Sequence, residues 1–71
     1  MSKKRLFQLI DAAALGSIEA AAELGEGYLK GSFDGKKNYE KAFKWSCYAA
    51  KRGSERAAEV ITELKQLGYG S

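Results

Sequence analysis

The sequence predicts an all-α fold, four antiparallel helices arranged as two α-hairpins. Three observations carry this. Proline is absent while Ala, Leu, Glu and Lys abound, a helix-forming vocabulary. Apolar residues return every three or four positions, the period of one helix face, and no segment carries a strand signal. Glycines followed by serine or asparagine punctuate the chain at Gly16-Ser17, Gly31 to Asn38 and Gly53-Ser54, where one helix stops and the next is capped. The 71 residues allow one small domain spanning 1–71, with hairpins at about 3–31 and 38–68.

Taken in order, Ser2 is placed to cap a first helix from about Lys3 to Leu15, with Leu6, Leu9, Ile10, Ala13 and Ala14 as its apolar stripe. Gly16 supplies the stop. Ser17 caps a second helix whose first turn holds Glu19, favourable at the positive end of the helix dipole. Ala21, Leu24, Gly25, Tyr28 and Leu29 form its inner face, and it ends near Gly31. Gly25 and Gly27 each cost about 1 kcal/mol against alanine in a helix, which points to close contact with a neighbouring helix. Gly31 to Lys37 is the clear loop, with Asp34-Gly35 as a turn signal. The stretch from Asn38 to Gly53 is the expected organising element, an amphipathic helix presenting Ala42, Phe43, Ser46, Ala49 and Ala50. Ser54 caps a fourth helix with Ala57, Ala58, Ile61 and Leu64 on one side before Gly68. The expected core is Leu6, Leu9, Ile10, Ala21, Leu24, Tyr28, Ala42, Phe43, Trp45, Ala49, Ala57, Ile61 and Leu64.

The two hairpins repeat. Ala12-Ala13, Gly16-Ser17 and Ala20-Ala21 recur as Ala49-Ala50, Gly53-Ser54 and Ala57-Ala58 at an offset of 37 residues, and Gly31 and Gly68 keep the same offset. Small residues at the hairpin let two helices approach, and glycine turns the chain between them. Tyr39 to Gly53 resembles the Asp-Tyr-x-Lys-Ala-x-x-Trp-Tyr-x-Lys-Ala-Ala-x-x-Gly pattern of Sel-one-like repeats, relatives of tetratricopeptide repeats. Ala21, Leu24-Gly25, Tyr28 and Gly31 resemble the upstream half of that pattern. Ser46 and Tyr48 depart from it, standing where the family prefers Tyr and Lys, and the first and fourth helices match loosely. The resemblance covers one full repeat, about Ala12 to Gly53, with partial helices on both sides. It implies a short α-α superhelix, or solenoid, that scaffolds other proteins without catalytic residues.

Signals for chemistry are weak. Histidine is absent, removing the commonest general base and metal ligand. Cys47 stands alone, too few for a zinc site or a disulfide, and is expected to pack in a helix interface. Gly25, Gly27 and Gly31 miss the dinucleotide spacing, Asp34 lacks companion calcium ligands, and Glu19, Glu23, Glu59 and Glu63 read as solvated. No enzyme activity, metal or cofactor is expected. No run of about 18 apolar residues suggests a membrane span, and Gln8 and Asp11 break any secretory segment, so a cytoplasmic location is expected. Met1 and the Gly70-Ser71 end read as those of a complete small protein.

Charge is more informative. The four segments 1–16, 17–35, 36–53 and 54–71 carry +2, −3, +5 and −1, so odd helices are basic and even ones acidic. In solenoids of the resembled kind the first helix of each pair lines the concave side, which makes a basic concave face for an acidic peptide or protein. Compensation between hairpin partners is the competing reading. Lys41, Lys44, Tyr48, Lys51 and Arg52 are the expected partner-binding residues, and Tyr48 and Arg52 are expected to be exposed beside a packed Trp45. The expected function is a non-enzymatic adaptor that binds a protein or peptide. Alternatives are a nucleic-acid-binding accessory protein, tracking phosphates with Lys36, Lys37, Lys41 and Lys44, and a small inhibitor or regulator of an enzyme. Repeat arrays commonly need three units to close a core, so self-association through exposed ends, or docking onto a partner, is also expected.

Overall fold

The computed structural model describes residues 3–33 and 35–69, without the side chain of Lys3. The expected Ser2 cap, Asp34 of the turn signal, Met1 and the Gly70-Ser71 end lie outside the described residues. Four helices follow one another, α1 (Lys3–Ala14), α2 (Ile18–Lys30), α3 (Tyr39–Lys51) and α4 (Glu55–Gln66). No strand occurs among the described residues. The fold is all-α.

The repeat seen in the sequence holds to the level of single hydrogen bonds. Ser17 Oγ accepts from the Ala20 N–H at 3.2 Å, and Ser54 Oγ accepts from the Ala57 N–H at 3.1 Å. The same serines donate their N–H groups back to Ala12 O at 3.0 Å and to Ala49 O at 3.1 Å. Gly16 and Gly53 turn the chain with φ of 102° and 99°, a region that a Cβ makes costly. Each turn thus closes the C-terminus of one helix and caps the next within two residues. Asn38 caps α3 in the same manner through its side-chain oxygen and the Lys41 N–H.

Packing is organised around α2, not around the Asn38–Gly53 stretch as expected. α2 meets α1, α3 and α4, and buries Ala20, Ala21, Ala22, Leu24, Gly25, Gly27 and Leu29. Small residues where its neighbours close, Ala20, Ala21, Ala22 and Gly25, let three helices pack on α2, while Glu19, Glu23, Glu26 and Lys30 form its polar side. Gly25 marks the tightest approach. A Cβ there would collide with Ser46 Oγ and stand 3.2 Å from both Ala42 O and Ser46 N, so α3 lies almost backbone to backbone on α2. Gly27 is different: the group filling its Cβ position is the ring of Phe33, not another helix. Phe33, expected to be a loop residue, is buried and meets the Tyr28 ring edge-on at 5.2 Å.

Other expectations shift by one helical position. In α4, Val60 is buried rather than Ile61, which is half-buried, and Ala58 is exposed. α4 packs on both α2 and α3, which rotates its buried stripe toward Ala57, Val60 and Leu64. Ala14 is likewise exposed, because α2 is the one helix whose backbone comes close to α1. Leu6, Ile10, Tyr28, Phe43 and Trp45 are half-buried, flanking rather than forming the core. Beyond α4, Tyr69 turns back onto α3, its ring 5.6 Å from that of Phe43 and 6.5 Å from that of Tyr39.

Candidate interaction groove

α2 and α4 pack directly, whereas no Cα of α1 comes within 8 Å of a Cα of α3. The difference follows from side-chain size. Small buried residues, Ala20 and Ala22 of α2 and Ala57 of α4, accompany the close pair, while the larger Ile10, Trp45 and Tyr48 line the space between α1 and α3. The result is an open groove of about 480 Å³ lined by Ile10, Lys41, Lys44, Trp45 and Tyr48. Its floor is apolar and its rim is cationic.

The groove's side chains are held in place by ring contacts. Trp45 meets the Tyr48 ring edge-on at 6.1 Å. Arg52 lays its guanidinium over the other part of the same stripe, 3.8 Å from the Tyr48 ring centre, and donates from Nη1 to Tyr48 O at 3.1 Å. Lys41 Nζ stands 5.6 Å from the Tyr28 ring centre. Such cation–π contacts contribute about 0.5–1 kcal/mol at exposed sites. Of the expected binding residues, Lys41, Lys44 and Tyr48 come together in the groove, whereas Arg52, just past α3, stacks on Tyr48 but lines a separate depression with Glu19 and Glu55. Lys51 is exposed and does not line it. Tyr48 is half-buried rather than exposed, and Cys47 is half-buried rather than packed away. Ile10 and Trp45, expected as core, contribute their exposed parts to the groove floor.

A second face carries the compensated charge. Arg5 donates from Nε and Nη2 to Glu23 Oε2 at 3.1 and 2.6 Å, tying α1 to α2. Glu26 accepts from Arg56 of α4 and pairs with Lys30 at 3.3 Å. The Arg56 hydrogen bond lowers the Glu26 pKa below its usual 4.5, against an opposing effect of burial, and Glu26 in turn raises the pKa of Arg56. Glu23, expected to be solvated, is therefore a half-buried ion-pair partner. The depression bounded by these groups, about 550 Å³, is larger than the groove. Its charges already neutralise one another, whereas Lys44 and Lys51 on α3 meet no carboxylate among the described residues. Compensation accounts for Arg5, Glu23, Glu26, Lys30 and Arg56, and does not reach the α3 lysines.

Among the described residues no group of three or more His, Cys, Asp or Glu is placed to hold a metal ion, and no helix is long and apolar enough to cross a membrane. No family model matches the chain, and neither a curated protein nor a solved structure matches it.

Proposed function

We propose that the chain is a non-enzymatic interaction module, a short solenoid of the Sel-one-like type, that holds a segment of a cytoplasmic partner protein between α1 and α3. The observation that carries the reading is the groove itself: an apolar floor of Ile10, Trp45 and Tyr48 under lysines that meet no carboxylate among the described residues. An apolar anchor gives affinity through burial, and uncompensated cations select and steer an acidic segment. Adaptor function fits the resemblance of Tyr39 to Gly53 to Sel-one-like repeats.

The test is capture from lysate with three forms of the chain, each shown by circular dichroism to be folded. They are the native chain, Lys41→Glu/Lys44→Glu in the groove, and Glu59→Lys/Glu63→Lys on the exposed face of α4. A protein captured by the native and α4-face forms, resistant to nuclease, and lost with the groove form is the expected result. Equal capture by all three forms would sink the groove reading. Capture abolished by nuclease would favour nucleic acid instead.

A further inference from the structure

α1 carries a face that the fold leaves uncovered. Its inner side meets α2 through Leu9 and Ala13, with Leu6, Ile10 and Ala12 half-buried beside them. On the opposite side Lys4, Phe7, Asp11 and Ala14 recur at intervals of three and four residues, a single stripe along the helix, and all are exposed. Phe7 is 60% exposed and Leu15, just past the helix, 89%; they are two of the three large apolar side chains left in solvent among the described residues. Apolar groups gathered on one exposed face mark a contact surface.

The charges on that face say what covers it. α1 is the one helix of the four with no acidic residue in its first turn and no basic residue in its last. Its charges run the other way: Lys4 and Arg5 stand at the positive end of the helix dipole, and Asp11 stands in the last turn, at the negative end. Glu23 offsets Arg5. A second α1 laid antiparallel reverses the arrangement along the whole stripe. Lys4 then lies level with the partner's Ala14, at the negative end of that helix, and Phe7 lies level with the partner's Asp11. From this position Lys4 is about 4.5 Å along the axis from the partner's Asp11, within the span of a lysine side chain. A parallel pair would instead set Lys4 on Lys4 and Asp11 on Asp11. The 12 residues of α1 make a rod about 18 Å long and about 10 Å across, so the contact covers a few hundred Å² per copy, below a standard-size interface. An association of that size is reversible.

We infer that the chain pairs with a second copy of itself through the outer face of α1. The two helices run antiparallel about a two-fold axis, with Phe7 and Ala14 along the seam, Leu15 at either end and two reciprocal Lys4–Asp11 pairs. Such a contact uses the same patch on both copies and closes at two chains, whereas an end-to-end contact between α1 and α4 would go on adding copies. The inference is independent of what the groove holds, since none of Lys4, Phe7, Asp11 and Ala14 lines it.

Sedimentation equilibrium of the whole chain tests this, across the micromolar to millimolar range and at low salt, with circular dichroism as the check on folding. The native chain is expected to rise with concentration from 7.8 kDa toward twice that mass and to stop there. Phe7→Ser is expected to weaken association at least about tenfold, because one substitution removes an apolar contact from both copies. Lys4→Asp and Asp11→Lys are each expected to weaken it about fivefold, since either sets like charges against one another twice. The double variant Lys4→Asp/Asp11→Lys restores the pairing with the signs exchanged and is expected to associate about as well as the native chain. Glu59→Lys/Glu63→Lys on α4 is expected to change nothing. A chain that stays a monomer, or that grows beyond two copies, would overturn the inference. Association indifferent to Phe7→Ser, or lost with the α4 variant, would do the same. A double variant no better than the single ones would overturn the antiparallel Lys4–Asp11 pairing.

Discussion

Gly25→Ala, measured alone and with Ser46→Ala, isolates the contact that seats α3 on α2. In a free helix the change to alanine stabilises by about 1 kcal/mol. Here the new methyl would overlap Ser46 Oγ and press on Ala42 O and Ser46 N, each 3.2 Å away. Ser46 is fully buried, so its hydroxyl has little room to rotate away. Overpacking of this kind costs about 1–3 kcal/mol, enough to outweigh the helical gain and leave a net loss of about 1–2 kcal/mol. Ser46→Ala alone is expected to be neutral or stabilising, because Ser46 Oγ has no hydrogen-bond partner and a buried unmatched hydroxyl costs about 1–3 kcal/mol. With that oxygen gone, Gly25→Ala is expected to fall within about 0.5 kcal/mol of neutral, which gives a coupling of about 1–2 kcal/mol between the two sites. Thermal denaturation followed at 222 nm resolves this, since about 1 kcal/mol moves the Tm of a domain this size by about 4–8 °C. If Gly25→Ala costs the same with and without the serine hydroxyl, the two sites are uncoupled and the Ser46 contact is not what requires glycine.

Three further outcomes follow from contacts already described. Phe33→Ala, removing a buried ring from Gly27 and Tyr28, is expected to cost about 3 kcal/mol in urea denaturation, as for a core aromatic; a cost below about 1 kcal/mol would return Phe33 to the status of a loop residue. Ser17→Ala and Ser54→Ala are expected to destabilise by about 1 kcal/mol each, because the two caps share one geometry; a loss at one site alone would break the structural repeat. The folded-state pKa of Glu26 is depressed, so its contribution is present above the ordinary carboxylate pKa and is lost as pH falls through the folded value. Glu26→Gln is accordingly expected to cost up to about 1 kcal/mol at neutral pH in low salt, and the gap from the native chain should close in acid. A gap that persists in acid beyond the point where the folded-state carboxyl is protonated would assign the loss to something other than the ion pairs.

Helix limits were legible because this chain marks them chemically. Gly16-Ser17, Gly31, Asn38 and Gly53-Ser54 act locally, through a glycine turn or a capping side-chain oxygen, and the helices begin or end within two residues of those signals. Which helix lies at the centre is a property of topology, and periodicity along α3 cannot reveal that α2 has three neighbours. A clue was present in α2 itself, where Ala20, Ala21, Ala22, Gly25 and Gly27 are small enough to let neighbours approach closely. Val60 was missed because packing on both α2 and α3 rotates the buried stripe of α4 by one position from the face that periodicity alone selects. Phe33 was missed because helical spacing has no bearing on a loop. In the groove, the cations and Tyr48 were visible from charge and composition on α3. Ile10 was not, since its role depends on α1 lying beside α3 at a distance set by the large side chains between them.

The Gly25 seat also has a consequence for array length. At the 37-residue offset Gly25 corresponds to Thr62, Ala21 to Ala58 and Tyr28 to Lys65. The turn is thus written twice, but the place prepared for an adjoining helix is written once. A helix laid on α4 as closely as α3 lies on α2 would run into the Thr62 side chain, whose hydroxyl already donates to Ala58 O at 3.0 Å. Any surface that meets α4 has to stand off by the thickness of that side chain. Copying the Gly25 joint onto α4 would begin with Thr62→Gly, the change that removes the side chain standing where α2 has none.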